Sequence, residues 1–235
     1  DFENNLNIQP EELIDYELGW KYNAEKFFFN SNLYYMGYKN QLVLTGALDD
    51  VGSPIRENSG KSYRMGIELE SVYKATNKLN ISANISLSEN KNVDYKTNYN
   101  GVITDWGDTD ISFSPNVISS AGIQFSASQD LTFTLLNKFV GNQYMSNTES
   151  NISKLSSYST TDLNILYTIK NSAYFSEIIV TAMINNIFNK EYVSNGYYYT
   201  YDDTWSDPNS ITTIEGTGYY PQAKRNFLLG LTFKL

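Results

Sequence analysis

The stretch that decides the fold is FLLGLTFKL, residues 227–235. Its apolar side chains fall at every second position, which is typical of a β-strand with one apolar face. The alternation runs to the last residue of the sequence, whereas the ends of soluble domains usually fray in water. We therefore expect the closing strand of a membrane β-barrel, which has to stay paired along its length while one face meets apolar surroundings. The apolar positions are Phe227, Leu229, Leu231, Phe233 and Leu235.

The same alternation recurs in eight earlier segments, and helical periodicity is nowhere convincing. It is clearest in Leu79–Ser88, where Leu and Ile alternate with Asn and Ser. The sequence therefore predicts an all-β fold with nine antiparallel strands. They are Ile14–Tyr22, Phe27–Tyr38, Lys61–Val72, Leu79–Ser88, Pro115–Ser126, Leu131–Val140, Tyr158–Ile169, Glu177–Ile187 and Pro221–Leu235.

The connections between these segments alternate between short and long. This order is typical of outer-membrane barrels, which have tight periplasmic turns and long extracellular loops. The short connections are Asn23–Lys26, Lys74–Lys78, Ala127–Asp130 and Lys170–Ser176, and the long ones are Lys39–Gly60, Glu89–Ser114, Gly141–Ser157 and Phe188–Tyr220.

Composition excludes several classes of function. The chain has neither Cys nor His, so disulfides, Cys/His zinc sites and Ser-His or Cys-His catalysis are excluded. A formal net charge of -9 argues against binding to nucleic acid, which needs a basic surface. An outer-membrane protease or lipase would need a catalytic set, and a pair of aspartates is a poor substitute for one. We expect neither enzymatic activity nor a cofactor.

The strand count predicts that residues 1–235 are one part of a longer barrel. The first strand ends at a short turn and the last follows a long loop, so the two ends of the chain lie on opposite sides of the membrane. Single-chain bacterial barrels have an even number of strands instead. The first residues, DFENNLNIQPEEL, also lack the basic start and apolar core of a signal peptide.

If residues 1–235 are part of a longer barrel, the natural protein is several times heavier than the 26.8 kDa of this sequence. Intact-mass measurement of the protein isolated from its native cells checks this prediction. A native mass near 26.8 kDa would contradict it.

Six stretches in order resemble the TonB-dependent outer-membrane receptors, with a Bacteroidetes-like character, and together they extend from Gln9 to Leu235. They read IQPEELIDYELGWKY, FFFNSNLYYMGYKNQLV, RENSGKSYRMGIELE, VGNQYMSNT, MINNIFNKEYVSNGYYY and YYPQAKRNFLLGLTFKL. Members of the family fold as a 22-stranded barrel closed by an N-terminal plug domain. The resemblance implies that this chain supplies about the last nine strands, and that the plug domain is absent from this sequence.

The resemblance also implies a function. Expected partners are the lipid of the outer membrane of a Gram-negative bacterium, the TonB complex acting through the missing plug, and a small nutrient ligand. The expected function is active uptake of a scarce nutrient, with a ferric siderophore or another iron complex as the leading ligand. TonB-dependent uptake of cobalamin or an oligosaccharide, and a passive porin-like barrel, stay open as alternatives.

Two groups of aromatic residues are candidates for ligand binding. Stacked rings with hydrogen-bonding rims suit a flat ligand such as a catecholate or a sugar ring. The alternative is an aromatic belt where a strand leaves the membrane. The candidates are Tyr197, Tyr198, Tyr199, Tyr201 and Trp205 in the last long connection, and Trp106 in the second.

The charged candidates fall into two groups. Asp105, Asp108 and Asp110 are weak candidates for a cation site, because hard cations need six to eight oxygen ligands in a constrained loop and a solvated turn explains the cluster as well. The other group is expected to face the lumen and contact the plug, with the two glutamates paired to Arg or Lys on neighbouring strands. It consists of Arg64, Glu68, Glu70, Lys138 and Arg225.

Overall fold

The structure is a computed structural model that describes residues 8–48, 51–99, 102–170, 174–203, 205–206 and 212–235. Its regular elements are strands and one short 3-10 turn, Asn151–Ser153. Within these ranges no helix has the length and apolar character needed to cross a membrane. The fold is therefore all-β, as the alternating sequence predicts.

Sixteen strands lie in the described part of the chain. In chain order they are β1 (Glu12–Asn23), β2 (Phe27–Lys39), β3 (Leu42–Leu48), β4 (Pro54–Asn58), β5 (Lys61–Lys74), β6 (Leu79–Tyr99), β7 (Val102–Asp110), β8 (Val117–Ser126), β9 (Leu131–Val140), β10 (Gln143–Tyr144), β11 (Lys154–Leu155), β12 (Tyr158–Lys170), β13 (Glu177–Asn185), β14 (Val193–Asp203), β15 (Thr212–Pro221) and β16 (Asn226–Lys234).

The main sheet contains all nine strands that the sequence predicts, in the order β1-β2-β5-β6-β8-β9-β12-β13-β16. Every pairing along this order is antiparallel, so the prediction of an antiparallel meander is confirmed. The sheet is open, with β1 and β16 at its two edges. Several boundaries differ from the prediction. The largest difference is in β6, which continues from Ser88 to Tyr99. In addition β8 begins at Val117, β13 ends at Asn185, and Pro221 belongs to β15 because the chain leaves the ladder before β16 begins.

Seven further strands lie in the long connections, which the sequence analysis describes as loops. β3 and β4 form one hairpin, β7 folds back on the extended end of β6, β10 pairs with β11, and β14 pairs with β15. Apart from β3, which reads LVLTGAL, their sequences are mostly polar or aromatic, and none shows the apolar alternation of the main sheet. Local hairpin pairing satisfies their backbone groups without it.

One face of the main sheet is apolar across all nine strands, and we call it the apolar face. Its members meet in cross-strand rows, such as Leu33 beside Ile67 and Ile81 beside Ile123. Leu18 is 70% exposed and Leu229 is 73% exposed, although both are large and apolar. A continuous apolar surface of this extent needs a non-aqueous environment.

Aromatic side chains gather on the apolar face at the end of the sheet where the short turns lie. Trp20 lies 5.6 Å from Phe29 and 6.2 Å from Tyr22, measured between ring centroids. Tyr22 in turn lies 6.3 Å from Phe27 across the β1–β2 turn. Amphipathic rings at one height on an apolar surface are typical of the boundary between a membrane and water.

The opposite face of the main sheet is polar and holds side-chain hydrogen bonds between strands. The amide nitrogen of Asn84 donates to Ser120 Oγ at 2.8 Å, and that of Asn32 donates to Glu17 Oε2 at 3.2 Å. Asn185 donates to Asn226 at 2.9 Å in the same way. This polar face suits a wet or plugged lumen, as the sequence predicts.

The buried core lies at the other end of the sheet, where the long connections meet. Among the described residues, the apolar side chains with the least exposure are all found there, and so are many polar ones. The described strands of the main sheet pack no apolar core between them, because one face of the sheet is suited to lipid and the other to water. The long connections are therefore a packed unit in their own right, which we call the loop cluster. Its buried apolar members are Val43, Tyr95, Ile111, Val140, Met145 and Leu155.

The two faces of β6 predict opposite responses to the same substitution. Ile85 lies on the apolar face and Asn84 on the polar face. Placing Arg at 85 should destabilise the assembled barrel by about 2–4 kcal/mol, because the charge would lie in hydrocarbon, whereas Asn84→Arg should be much milder. Denaturant-induced unfolding of the full-length barrel in lipid vesicles measures the change in unfolding free energy for each variant. Equal changes for the two variants would contradict the assignment of the faces.

Candidate functional site

A buried pair of asparagines connects the loop cluster. Asn92 is 0% exposed and Asn147 is 1% exposed, and the amide nitrogen of Asn92 donates to Asn147 Oδ1 at 3.3 Å. The same oxygen accepts the backbone N–H of Ser112 at 2.9 Å. The amide nitrogen of Asn147 donates to the carbonyl of Leu44 at 3.0 Å, across a separation of 103 residues. One side chain therefore ties together three of the long connections.

An ion-pair group stabilises the same cluster near the surface. Lys91 Nζ lies 2.6 Å from Asp110 Oδ1 and 3.5 Å from Glu149 Oε1. Partial burial alone would lower the pKa of Lys91, but the two carboxylates raise it above its ordinary value. The charges belong to β6, β7 and the connection after β9, so the group adds a second link between the extended hairpin and that connection.

Tyr95 provides the apolar centre of the cluster. Its ring is fully buried, and its hydroxyl donates to Glu57 Oε1 at 3.3 Å. Partial burial raises the pKa of the Glu57 carboxyl, and the hydrogen bond from Tyr95 opposes that rise. Glu57 is on β4, so this contact attaches the β3–β4 hairpin to the β6–β7 hairpin.

The β14–β15 hairpin packs against the cluster through one of its faces. Tyr198 donates to Glu215 Oε1 at 2.6 Å, and Ser150 donates to the other carboxylate oxygen at 3.0 Å. Tyr219 donates to the carbonyl of Ile152 at 3.1 Å. Beyond these contacts, Thr200 pairs with Ala47 of β3, so β14 joins the β3–β4 hairpin in a four-stranded sheet.

The other face of this hairpin carries three of the predicted tyrosines as a stack, which we call the tyrosine ladder. Ring centroids of Tyr197 and Tyr199 are 6.2 Å apart with planes 26° apart, and those of Tyr199 and Tyr201 are 6.4 Å apart with planes 17° apart. Tyr197 and Tyr201 are 50% and 45% exposed. Tyr220 adds a fourth ring beside Tyr197 at 6.0 Å.

Two glycines explain the orientation of the ladder. Gly218 lies opposite Tyr197 and Gly216 opposite Tyr199 in the β14–β15 register. A Cβ at Gly218 would lie 2.2 Å from the ring of Tyr197, and one at Gly216 would lie 2.3 Å from the ring of Tyr199. The rings therefore lie flat on β15 and turn their faces outward, an arrangement that any larger residue on β15 would prevent.

The predicted aromatic set is thus only partly brought together. Tyr197, Tyr199 and Tyr201 form the ladder, whereas Tyr198 lies on the opposite face against the loop cluster. Trp205 is highly exposed, and its backbone N–H donates to Asp203 at 2.9 Å. Trp106 lies on β7, where its indole nitrogen donates to Thr97 at 3.0 Å.

The three aspartates of the weak cation candidate have separate partners. Asp105 pairs with Lys96 at 3.0 Å, and this hydrogen bond holds the pKa of Asp105 below its ordinary value. Asp108 accepts the backbone N–H of Asp94 at 3.0 Å, and Asp110 pairs with Lys91. In the portion of the chain that is described, no group of three or more acidic side chains is arranged to hold a metal ion.

The residues predicted to face the lumen behave differently from one another. Arg64 donates to Ser114 Oγ at 2.8 Å and to Asn90 Oδ1 at 3.3 Å, just below the loop cluster. Glu68 lies beside Asn32 and Ser86, and Glu70 beside Asn30 and Asn84. The expected pairing of these glutamates with Arg or Lys is wrong for the described residues, because the neighbouring strands offer amides and hydroxyls there.

Lys138 and Arg225 lie further along the chain. Lys138 on β9 stands beside Ser120 and Thr160 in the polar face. Arg225 precedes β16, and its guanidinium donates to the carbonyl of Ile187 at 3.3 Å. Arg225 therefore lies in the turn above β13 and β16 rather than on a strand.

A family model described as "TonB dependent receptor-like, beta-barrel" matches residues 1–187. That is most of the chain. The chain belongs to the TonB-dependent receptors. The family resemblance expected from the sequence is thereby confirmed, and the family is one of receptors in the bacterial outer membrane. A search of curated proteins found no match.

Solved structures of TonB-dependent receptors share the fold. The chain matches the copper transporter OprC with a TM-score of 0.68 and 18% identity, covering 97% of this chain and 32% of that one. It matches the ferric yersiniabactin uptake receptor FyuA from Yersinia pestis with a TM-score of 0.64 and 16% identity, covering 94% and 29%. It matches the ferric-catecholate import receptor Fiu from E. coli K12 in its closed form with a TM-score of 0.65 and 16% identity, covering 96% of this chain and 28% of that one. The chain thus spans about a third of the length of these receptors.

The hydrogen bonds of Asn147 predict a local effect of its removal. Asn147→Ala would leave the carbonyl of Leu44, the N–H of Ser112 and the amide of Asn92 without their partner, at about 1–3 kcal/mol for each buried group. We expect faster hydrogen exchange at the Ser112 amide and throughout the loop cluster, with the main sheet unchanged.

Asn142 provides the matched control. It is an exposed asparagine in the same connection, and among the described residues its one side-chain hydrogen bond is from the N–H of Ser157 at 2.8 Å. Asn142→Ala should therefore leave exchange at Ser112 unaltered. Equal effects of the two substitutions would contradict the role assigned to Asn147.

Proposed function

We propose that residues 1–235 are the C-terminal part of a TonB-dependent receptor barrel that takes up a scarce nutrient across the outer membrane of a Gram-negative bacterium. The observation that carries the proposal is the combination of a polar barrel wall with a compact loop cluster at one end of it. A lumen lined by amides and carboxylates suits a hydrated plug, and a packed loop cluster at the end of the barrel suits capture of a ligand. In this proposal the barrel performs no covalent chemistry.

An iron complex is the leading ligand in this proposal. Two of the similar structures are receptors for ferric siderophores and a third is a copper transporter, which supports a metal complex as cargo. We propose that aromatic side chains at the loop cluster contact it, through the flat faces of their rings. The proposed contacts are Tyr197, Tyr198, Tyr199, Tyr201, Trp205 and Trp106.

The lumen wall would hold the plug. Among the described residues no Lys or Arg forms an ion pair with Glu68 or Glu70, so a basic segment of the plug inside the lumen would neutralise their charge. Arg64 on β5 and Lys138 on β9 would attract acidic residues of the plug in the same way. Arg225 lies in the turn above, where it could meet the outer part of the plug. We propose that the TonB complex acts on the plug and that transport follows from a change in ligand affinity between two plug conformations.

The proposal predicts energised uptake. Cells that carry the full-length receptor should accumulate radiolabelled ferric complexes, tested with uncharged hydroxamates and anionic catecholates in parallel. Accumulation should fall to the level of receptor-deficient cells when TonB is deleted or a protonophore is added, because a plugged lumen passes nothing without work. Surface binding at low temperature should persist in the same cells.

The same experiment separates active uptake from a passive porin. A porin would admit small solutes equally with and without TonB, and its uptake would rise linearly with solute concentration. Uptake of that kind would overturn the proposal. Saturable uptake that depends on TonB but ignores iron complexes, and follows cobalamin or an oligosaccharide instead, would keep the receptor function and overturn the choice of cargo.

A further inference from the structure

The dipeptide Asn195–Gly196 near the start of β14 has the composition of a site that modifies itself. The sequence contains two Asn-Gly pairs, and this is the one that lies within the described residues; the other is Asn100–Gly101. A glycine after asparagine leaves its backbone nitrogen unhindered, because glycine has no side chain. That nitrogen can attack the side-chain amide of the preceding asparagine, and the amide nitrogen is then lost.

The side chain of Asn195 is turned toward the nitrogen that would attack it. The N–H of Gly196 donates to Asn195 Oδ1 at 2.8 Å. Because Oδ1 is bonded to Cγ, the carbon that is attacked lies beside the attacking nitrogen. Among the described residues this is the one hydrogen bond of the Asn195 side chain, so no other contact holds the amide in a different orientation.

The backbone at Asn195 is irregular as well. The register of β14 with β15 shifts between Val193 and Asn195, and Val193 lies opposite Pro221, which has no N–H to donate. At such a bulge the regular ladder is interrupted and the strand bends. The ladder therefore opposes closure of a five-membered ring less at Asn195 than it would within a regular stretch of strand.

Packing requires the glycine at 196. Gly196 is buried, and a Cβ there would lie 2.4 Å from the carbonyl oxygen of Gly218 and 2.7 Å from Met145 Sδ. A larger residue would separate β14 from β15 or from the loop cluster. The fold therefore keeps an unhindered nitrogen next to Asn195.

We propose that Asn195 is a site of spontaneous deamidation in the folded receptor. The nitrogen of Gly196 forms a bond to Cγ of Asn195, and Nδ2 leaves as ammonia after taking up, through water, the proton that the Gly196 nitrogen loses. Water then adds to one carbonyl of the cyclic imide and breaks its bond to the Gly196 nitrogen, which regains a proton. Opening at Cγ gives aspartate, and opening at the main-chain carbonyl gives isoaspartate.

Either product places a carboxylate where the hairpin has an amide. Asn195 lies opposite Tyr220, whose ring centroid is 6.0 Å from that of Tyr197. The isoaspartyl product also adds one carbon to the backbone of β14 just before the tyrosine ladder. Modified chains therefore differ from newly made ones in charge and in the path of β14, whichever ligand the receptor carries.

Incubation of the purified full-length receptor in detergent, in heavy-oxygen water at mildly alkaline pH, tests the proposal. Peptide mapping by mass spectrometry should find aspartate and isoaspartate at 195 that carry oxygen from the solvent. The rate at Asn195 should stay within about threefold of the rate for the receptor unfolded in urea, because the reacting atoms are already together. The variant N195Q should stay unmodified at 195, because glutamine would have to close a larger ring.

Asn58, which precedes Ser59, is the matched control. Its amide nitrogen donates to the carbonyls of Gln9 at 3.0 Å and Asn40 at 2.7 Å, and its Oδ1 accepts the N–H of Gln9 at 2.8 Å. The N–H of Ser59 donates to the carbonyl of Gln41 at 2.8 Å. These bonds keep amide and nitrogen apart, so deamidation at Asn58 should be at least about tenfold slower in the folded receptor than in urea.

The comparison of the two asparagines decides the proposal. Solvent oxygen at 195 in the folded receptor, with Asn58 protected by folding, supports it. An Asn195 that stays intact in the folded receptor and deamidates in urea overturns it, and so does equal protection of Asn195 and Asn58. Energised uptake is unaffected by either result, since the measurement needs neither a ligand nor TonB.

Discussion

Backbone hydrogen bonding where water is absent is the constraint on which the architecture of this chain depends. In hydrocarbon an unpaired N–H or C=O group costs several kcal/mol, so each strand of a spanning sheet has to be paired along both edges. The antiparallel register meets this requirement for the seven inner strands of the main sheet, and β1 and β16 each keep one edge for a further strand. The strict alternation of the sequence follows from it, because a slip of one residue would turn every Leu and Ile of a strand from the apolar face to the polar one.

A different constraint governs the loop cluster. Its segments are too polar to collapse on apolar burial alone, so their order depends on hydrogen bonds made away from water, where each bond is stronger and each omission more harmful. Asn147 shows the consequence most clearly: its two amide atoms serve Leu44, Asn92 and Ser112 in one place. The fully buried ring of Tyr95 and the ion pairs of Lys91 add to the same unit. A cluster joined in this way has a fixed arrangement, because each buried hydrogen bond constrains segments that are far apart in the sequence.

The spanning strands were predictable from sequence because membrane burial imposes a period of two on them. All nine appear in the main sheet, and the face on which Ile85 lies follows from its even spacing from Ile81 and Leu87 along β6. The hairpins of the loop cluster were not predictable in that way, since β14 owes its pairing to tyrosines that cross onto Gly216 and Gly218 of a distant segment. Parity would have separated Tyr198 from Tyr197 and Tyr199 once β14 was taken as a strand. The contacts of Asn147 carry no signal in the sequence, because an asparagine in a polar segment looks the same whether it is buried or solvated.

Two aromatic clusters in different parts of the chain illustrate how one residue type takes different roles. Trp20, Tyr22 and Phe29 cluster on the apolar face at the end with short turns, where amphipathic rings anchor a barrel in its membrane. The rings of the tyrosine ladder have comparable spacing, yet they stand on a hairpin outside the main sheet. Their spacing follows from the two-residue period of β14, and their orientation follows from the glycines opposite Tyr197 and Tyr199. The same residue type therefore forms a boundary cluster where strands of the main sheet meet at a short turn, and a stacked row where a neighbouring strand carries glycine.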